Sequence, residues 1–198
     1  YIACDVHPTC GLASPTNIIG ELDNPRVFAY PERFRADIVW IGYGSLTYSL
    51  PNRLNPGQTL QELNISFEIS SECPEFNEDY PSDIHFSING IPLGKWISPG
   101  DYGSRRGIIS PYWWPELLNQ YGLLKSLIIN SEGTFIDGTL RISKTTIQDL
   151  HIDHNSTRLH HISRYEIRSA DSSDDNISLT TFLLQVLGMR VTERYRSI

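Results

Sequence analysis

The sequence of 198 residues is long enough for one domain with a full hydrophobic core. Apolar residues make up 39% and charged residues 20%, so aromatic and aliphatic side chains suffice to fill a core, which excludes a disordered chain. The formal net charge of -7 argues against nucleic-acid binding by the chain's own surface, because phosphate contacts need clusters of Lys and Arg.

The three cysteines and the apolar runs indicate a compartment. Cys4, Cys10 and Cys73 are an odd number and form a weak disulfide framework. No basic start followed by a long apolar stretch marks a secretory signal, and no apolar run is long enough to span a membrane. We therefore expect reduced thiols, a cytoplasmic protein and no membrane partner.

The first half of the chain predicts strands after an irregular start. Prolines and glycines interrupt residues 1–35. Residues 37–50 predict a strand in which Gly42 and Gly44 indicate a bulge or a close approach of another backbone. Residues 58–70 predict a second strand with one apolar face. The apolar face of the first of these strands consists of Ile38, Trp40, Leu46, Tyr48 and Leu50.

Turn signals then divide a series of short strands. Residues 83–89 and 91–98 predict a hairpin, because Asn89-Gly90 suits a type I′ turn and Pro92 indicates an edge strand. Residues 122–131 and 134–143 predict further strands, with another turn at Asp137-Gly138. This spacing predicts a mainly β fold, an antiparallel β-sandwich of jelly-roll type.

The alternation is lost beyond Leu150. We predict that residues 1–150 form a β-sandwich accessory or effector domain, and that residues 151–198 are a divergent segment packed on or extending it. Apolar residues near the carboxyl end recur at helical spacing and predict a short C-terminal helix. These residues are Leu179, Phe182, Leu183, Val186 and Leu187.

Aromatic and polar residues alternate in the centre of the chain. Flat aromatic faces beside planar polar side chains suit a sugar-like small molecule, whose C–H faces stack and whose hydroxyls accept and donate hydrogen bonds. The competing interpretation is structural: the tryptophans belong to the core, and Asp101 and Arg105 form an ion pair that ties a loop. The predicted ligand-binding residues are Trp96, Asp101, Tyr102, Arg105, Arg106, Trp113, Trp114 and Tyr121.

Catalytic and metal sites have less support in the sequence. A glycosidase needs two carboxylates across a cleft, and Glu68, Glu72, Asp83 and Asp101 are candidates, although such residues are ordinary on polar strand faces. No zinc or EF-hand spacing exists among the histidines or the late aspartates, which are His151, His154, His160, His161, Asp171, Asp174 and Asp175. We therefore expect no catalytic residues, no metal and no cofactor.

A series of short motifs runs in order over roughly residues 10–150, including Cys10-Gly11-Leu12-Ala13, Phe67-Glu68-Ile69-Ser70, Ser98-Pro99-Gly100-Asp101, Arg105-Arg106-Gly107, Trp113-Trp114 and Gln120-Tyr121-Gly122. These motifs resemble the carboxy-terminal domain of bacterial winged-helix regulators usually labelled ArsR-like. In that family a helix-turn-helix domain precedes this one. The resemblance implies a transcription regulator whose β-sandwich senses an effector or forms a homodimer, and which contacts DNA only through a winged-helix domain that this chain lacks.

Two points stay open at the level of sequence. The family closes with strands carrying Gly-Gly and Phe-Gly pairs, which this chain lacks, and one hypothesis is a changed reading frame after about residue 155 that removes the closing strands. The function also has two rivals to ligand sensing. One is a protein–protein interaction module without a small ligand, and the other is a carbohydrate-active enzyme.

Overall fold

The computed structural model describes residues 3–71, 73, 75–154, 158–165, 183–184 and 190–197. Short 3-10 helices cover Pro25–Ala29, Pro31–Arg35 and Gln148–Leu150, and no helix in the described ranges is long and apolar enough to cross a membrane. The remaining elements are strands, so the predicted mainly β class is confirmed. The strands are β1 (Ala3–Ala13), β2 (Ile38–Pro51), β3 (Gln58–Ile69), β4 (Ser82–Ile88), β5 (Ile91–Ser98), β6 (Leu123–Asn130), β7 (Gly133–Ile136), β8 (Leu140–Ser143), β9 (Arg158–Tyr165), β10 (Leu183–Leu184) and β11 (Arg190–Ser197).

The strands form two sheets. The first has the order β1-β2-β9-β4-β5, with β10 also paired to β2, and the second has the order β11-β3-β6-β7-β8. Each of the strand pairs in the described residues is antiparallel, as predicted. The jelly-roll connection pattern stays a prediction.

The main core lies between the inward faces of the two sheets. Leu63 and Ile65 of β3 and Ile84 of β4 are fully buried or nearly so. The rings of Phe67 and Phe86 lie 5.5 Å apart and join the second sheet to the first. The alternation predicted for residues 63–69 of β3 and for β4 is confirmed. Its physical reason is that burying an apolar side chain contributes about 1.5–3 kcal/mol, so the apolar residues occupy the face that turns away from water.

The single apolar face predicted for β2 is wrong. Ile38 and Trp40 pack in a small second cluster, whereas Leu46 and Tyr48 of the same predicted face pack against the main core. The two faces exchange near Gly44, whose φ is 138° and where an added Cβ would lie 1.9 Å from a β1 carbonyl oxygen. The predicted close backbone approach is therefore real, and it reverses the alternation that the rest of the strand follows.

The β4–β5 hairpin follows its turn residues. Asn89 and Gly90 have φ values of 52° and 79°, as a type I′ turn requires. Pro92 lies in β5, which ends the order of the first sheet, so the predicted edge position is confirmed.

The amino-terminal strand β1 was not predicted. Its pairing with β2 shifts register between His7 and Cys10, around Pro8, and the break in alternation hides the strand in the sequence. A proline is tolerated there because β1 ends the order of the first sheet. Val6 and Leu12 anchor the strand in the main core.

The segment after residue 150 supplies strands to both sheets. β9 lies between β2 and β4, and β11 pairs with β3. The expectation that closing strands are missing therefore does not hold for these two positions. A helix at Leu183 is also wrong, because Leu183 and Leu184 pair with β2 and nonlocal pairing overrides helical spacing. The other members of the predicted helical stripe lie outside the described residues, as do Asp171, Asp174 and Asp175.

Candidate functional site in the loop of residues 99–122

The long segment that joins β5 to β6 is here called the 99–122 loop. Its first turn is bonded to the segment of residues 71–80 by three backbone hydrogen bonds. The Ser71 amide donates to the Gly100 carbonyl at 3.0 Å, and the Asp101 amide donates to the Asn77 carbonyl at 2.9 Å. The Tyr80 amide donates to the Pro99 carbonyl at 3.1 Å. The start of the loop is therefore fixed to the body of the sandwich.

Asp101 is a fully buried carboxylate at the base of the loop. It accepts hydrogen bonds from the Cys73 amide at 2.9 Å, from the Cys73 thiol at 3.6 Å and from the Asn119 side-chain amide. Burial raises the pKa of Asp101 to about 6, against the opposing effect of these donors. The ion pair with Arg105 considered from the sequence is not formed, since the Arg105 guanidinium lies over the ring of Tyr121 instead.

Trp114 anchors the middle of the loop. Only 4% of it is exposed, and its ring lies edge-on to Trp40 at 5.8 Å, within the second apolar cluster. Its indole N–H donates to the Asn119 carbonyl at 2.8 Å, which satisfies the one polar atom of the side chain. Asn119 itself donates to the Ser70 hydroxyl at 2.9 Å. One chain of contacts thus links Asp101, Asn119 and Trp114.

Two further polar side chains of the loop, those of Arg106 and Gln120, donate hydrogen bonds to carbonyls of the loop itself. The Arg106 guanidinium donates to the Trp114 carbonyl at 3.0 Å and to the Pro111 carbonyl. The Gln120 amide donates to the carbonyls of Pro115 at 2.7 Å and Leu118 at 2.8 Å. These bonds close the loop on itself, so it is held as one compact unit rather than as an open strap.

Two half-buried tyrosines stack beside the loop. The rings of Tyr102 and Tyr121 lie 5.3 Å apart with an interplanar angle of 24°. The Arg105 guanidinium carbon lies 4.4 Å from the centroid of the Tyr121 ring, which is cation–π geometry. Burial, followed by the neighbouring Tyr121 and Glu78, raises the pKa of Tyr102. These three side chains keep both aromatic surface and polar atoms near solvent.

Six of the eight predicted ligand-binding residues fall into three separate places. The other two join the loop around Trp114, since Arg106 donates to the Trp114 carbonyl and Asp101 is bonded to Asn119. Trp96 is 6% exposed and belongs to the main core, where its ring lies 5.4 Å from the Lys125 ammonium group. Trp113 and Trp114 belong to the second cluster, and the Trp113 indole donates to the Pro15 carbonyl at 3.0 Å. The third place is the group of Tyr102, Arg105 and Tyr121.

The exposed side chains of the loop are mostly apolar. Ile108 is 97% exposed, Tyr112 85% and Leu117 65%, and Ile109 and Leu118 are also exposed. None of them was among the predicted site residues. The signal in the sequence was the run of residues 107–115, which holds no charged residue although a fifth of the chain is charged.

Of the four carboxylates considered for catalysis, Glu68, Asp83 and Asp101 are engaged in other contacts, and Glu72 lies outside the described residues. Glu68 accepts a hydrogen bond from the Gly122 amide at 2.8 Å, and burial raises its pKa. Asp83 is bonded to Lys95 at 2.6 Å on the sheet surface. In the part of the chain that the structure describes, no group of three His, Cys, Asp or Glu side chains is placed to hold a metal ion.

Comparison with known proteins adds no relative. No family model matches the chain, and no curated protein matches it. The resemblance to the accessory domain of ArsR-like regulators therefore stays a prediction.

Proposed function

We propose that this chain is the oligomerisation domain of a bacterial transcription regulator of the ArsR-like kind that it resembles, and that a second copy binds through the 99–122 loop. The observation that supports this most is the division of the loop: the polar side chains of Asp101, Asn119 and Gln120 are buried and bonded internally, whereas five large apolar side chains are exposed. Exposed apolar patches of several hundred Å² on a soluble domain mark interaction surfaces.

Charge favours a second copy as the partner. The chain carries a net charge of -7, so most of its surface repels another copy. The uncharged run of residues 107–115 is a region where two copies can approach without bringing like charges together. Arg105, Arg106 and Glu116 flank this run, which gives an apolar centre with a charged rim, the usual anatomy of an interface. A twofold axis through the loop pairs this surface with itself.

The preformed loop lowers the cost of association. A stable interface buries about 800 Å² on each partner, and five large apolar side chains of the loop are exposed to contribute to it. Ordering a mobile segment on binding costs about 0.5–1.5 kcal/mol for each immobilised side chain. Because internal hydrogen bonds already order the loop, part of this entropic cost is not incurred on binding.

Sedimentation velocity from low micromolar to about 100 micromolar chain tests the proposal, since weak interfaces have dissociation constants in the micromolar range. We expect a concentration-dependent dimer, and we expect Ile108→Asp to be monomeric over the same range. Leu124→Asp is the matched control, because Leu124 is 73% exposed but lies on β6 outside the loop. A monomer at every concentration, or equal losses in both variants, would contradict the proposal.

A second candidate function is the binding of a sugar-like ligand at Tyr102, Arg105 and Tyr121. The observation that favours it is their stacked, half-buried arrangement, which leaves a ring face and hydroxyls near solvent. Calorimetry against a panel of sugars and nucleotides tests it, with Tyr121→Ala expected to abolish any heat of binding. Tyr43→Ala is the control, since Tyr43 is exposed on β2. Binding that survives Tyr121→Ala would place the ligand elsewhere.

The regulator context has its own test. The DNA sequence upstream of the coding segment is expected to encode, in frame, a helix-turn-helix domain of about a hundred residues. An upstream sequence without one would remove the regulator from the proposal and leave the dimer surface to be judged by sedimentation.

A further inference from the structure

Asp101 lies in a buried polar cluster, and among the described residues no cationic side chain is bonded to it. Its described hydrogen-bond partners are the neutral groups of Cys73 and Asn119. The Asn119 side-chain oxygen is buried and has no hydrogen-bond partner among the described residues, and the same is true of the Ser98 hydroxyl. A buried carboxylate that meets only neutral donors, beside an unused acceptor, is arranged to take up a proton.

The cluster also connects the two ends of the 99–122 loop to each other and to the sandwich. Asp101 is bonded to the 71–80 segment through Cys73 and to the far end of the loop through Asn119. Asn119 in turn holds the Trp114 indole and the Ser70 hydroxyl at the end of β3. Both ends of the 99–122 loop therefore meet at this carboxyl group.

We propose that Asp101 is a proton-operated latch, whose protonation holds the 99–122 loop closed on the sandwich and thereby controls the dimer surface. This inference rests on the proposed function for its biological consequence, although the latch itself is tested independently. A proton from solvent binds the carboxylate, and rotation of the Asn119 amide presents its unused oxygen to the new O–H group. Only the closed loop presents the apolar side chains together, so the dimer follows the closed fraction.

The direction of the pH dependence follows from burial. The pKa of Asp101 is about 6 in the closed loop, whereas an opened, hydrated loop returns it to about 3.9. The closed state therefore binds the proton more tightly. The free energy of loop opening is therefore greatest below the lower pKa. It falls as the pH rises from the lower pKa to the higher one, and it is constant at higher pH. Loop opening is expected to rise roughly tenfold between pH 5 and pH 7.

Other ionisable groups lie on the elements that are packed against Asp101. Of the ionisable side chains in the described residues, only the Cys73 thiol is bonded to the carboxyl group, at 3.6 Å from its sulfur. Other charged or titratable groups on the elements packed against it include Glu68 on β3, Glu75, Glu78, Asp79 and Tyr80 on the 71–80 segment, and Tyr102, Arg105, Arg106, Tyr112, Glu116 and Tyr121 on the loop. In the described residues none of these side chains is bonded to the Asp101 carboxyl group. Glu68, whose pKa burial also raises, accepts a hydrogen bond from the Gly122 amide at the end of the loop, so the Asp101→Asn variant, and not the pH range alone, assigns the change to Asp101.

Hydrogen exchange of the loop amides and the Trp114 indole between pH 5 and pH 7.5, at a concentration below dimerisation, tests the latch. After correction for intrinsic exchange, we expect the roughly tenfold rise in opening in the native chain and no rise in Asp101→Asn. Asp83→Asn is the control, because Asp83 is paired with Lys95 away from the loop, and it should keep the native slope. A flat native profile, or the same slope in Asp101→Asn, would overturn the inference.

Carbon-13 titration of the carboxyl group gives a readout that does not depend on a folded variant. A midpoint near pH 6 is expected, and a midpoint near the ordinary value of about 3.9 would overturn the latch. Sedimentation at pH 5 and pH 7 then separates the two proposals. No dimer at either pH, together with the exchange profile described above, rejects the dimer surface and keeps the latch.

Discussion

Trp114 and Asp101 act at the residue scale as the supports of the 99–122 loop. The features that made them candidates for ligand binding, an aromatic ring with an N–H group and a carboxylate among donors, are the features that a buried anchor needs. The sequence located the loop and its polar residues, but it could not say which faces of the rings turn inward. Burial depends on contacts with distant residues such as Trp40, which periodicity within the loop does not report.

Trp114→Phe tests the anchor. The change keeps an aromatic ring but removes the indole N–H, which leaves the buried Asn119 carbonyl without this donor and opens a small cavity. We expect a loss of about 2–3 kcal/mol in the free energy of unfolding, measured by urea titration at pH 7. Tyr112→Phe, in the same loop and 85% exposed, should change it by less than about 0.5 kcal/mol. If Trp114→Phe and Tyr112→Phe had the same free energy of unfolding, the indole hydrogen bond would not be what holds the loop.

At the scale of elements, local rules succeeded where neighbouring strands are joined by short turns. Residues 63–69 of β3 and the whole of β4 follow strict alternation, and Asn89-Gly90 forms the turn of the β4–β5 hairpin. β1 and β9 were missed because the first is broken around Pro8 and the second has no tidy alternation, and both form by pairing with β2. The inversion of β2 near Gly44 likewise comes from the approach of β1. Such features are set by nonlocal contacts, which cannot be predicted from the residue pattern within a single strand.

Gly90→Ala tests the turn of the β4–β5 hairpin. Gly90 has a φ of 79°, and an added Cβ would meet nothing within 4 Å, so the substitution isolates the backbone cost. We expect a loss of about 1 kcal/mol in the free energy of unfolding, because an alanine at positive φ is strained. Ser131→Ala, an exposed turn residue without positive φ, is the control and should be nearly neutral. If Gly90→Ala left the free energy of unfolding unchanged, the backbone of the turn would have relaxed to accommodate the alanine.

The whole molecule combines an acidic sandwich with one loop whose central residues 107–115 are uncharged and whose large exposed side chains are apolar. The composition predicted the acidic balance, and the strand spacing predicted the antiparallel sheets. Neither could predict that the loop closes on itself and turns its apolar side chains outward, since the same residues fit a buried or an exposed position equally well. The proposed dimer depends on this separation, because association must overcome repulsion between two acidic bodies through apolar contact.

Salt dependence distinguishes this arrangement from an interface held by ion pairs. Raising NaCl from about 0.05 M to about 0.5 M shortens the screening length several-fold, which weakens repulsion between two chains of net charge -7 and leaves apolar contact intact. We expect the dimer dissociation constant, measured by sedimentation equilibrium at pH 7, to fall several-fold. Ile108→Asp should stay monomeric at both salt concentrations, which shows that the gain acts through the loop. A dimer that weakens with salt would instead indicate that opposite charges hold the two copies together, and the apolar loop would not be the main contact.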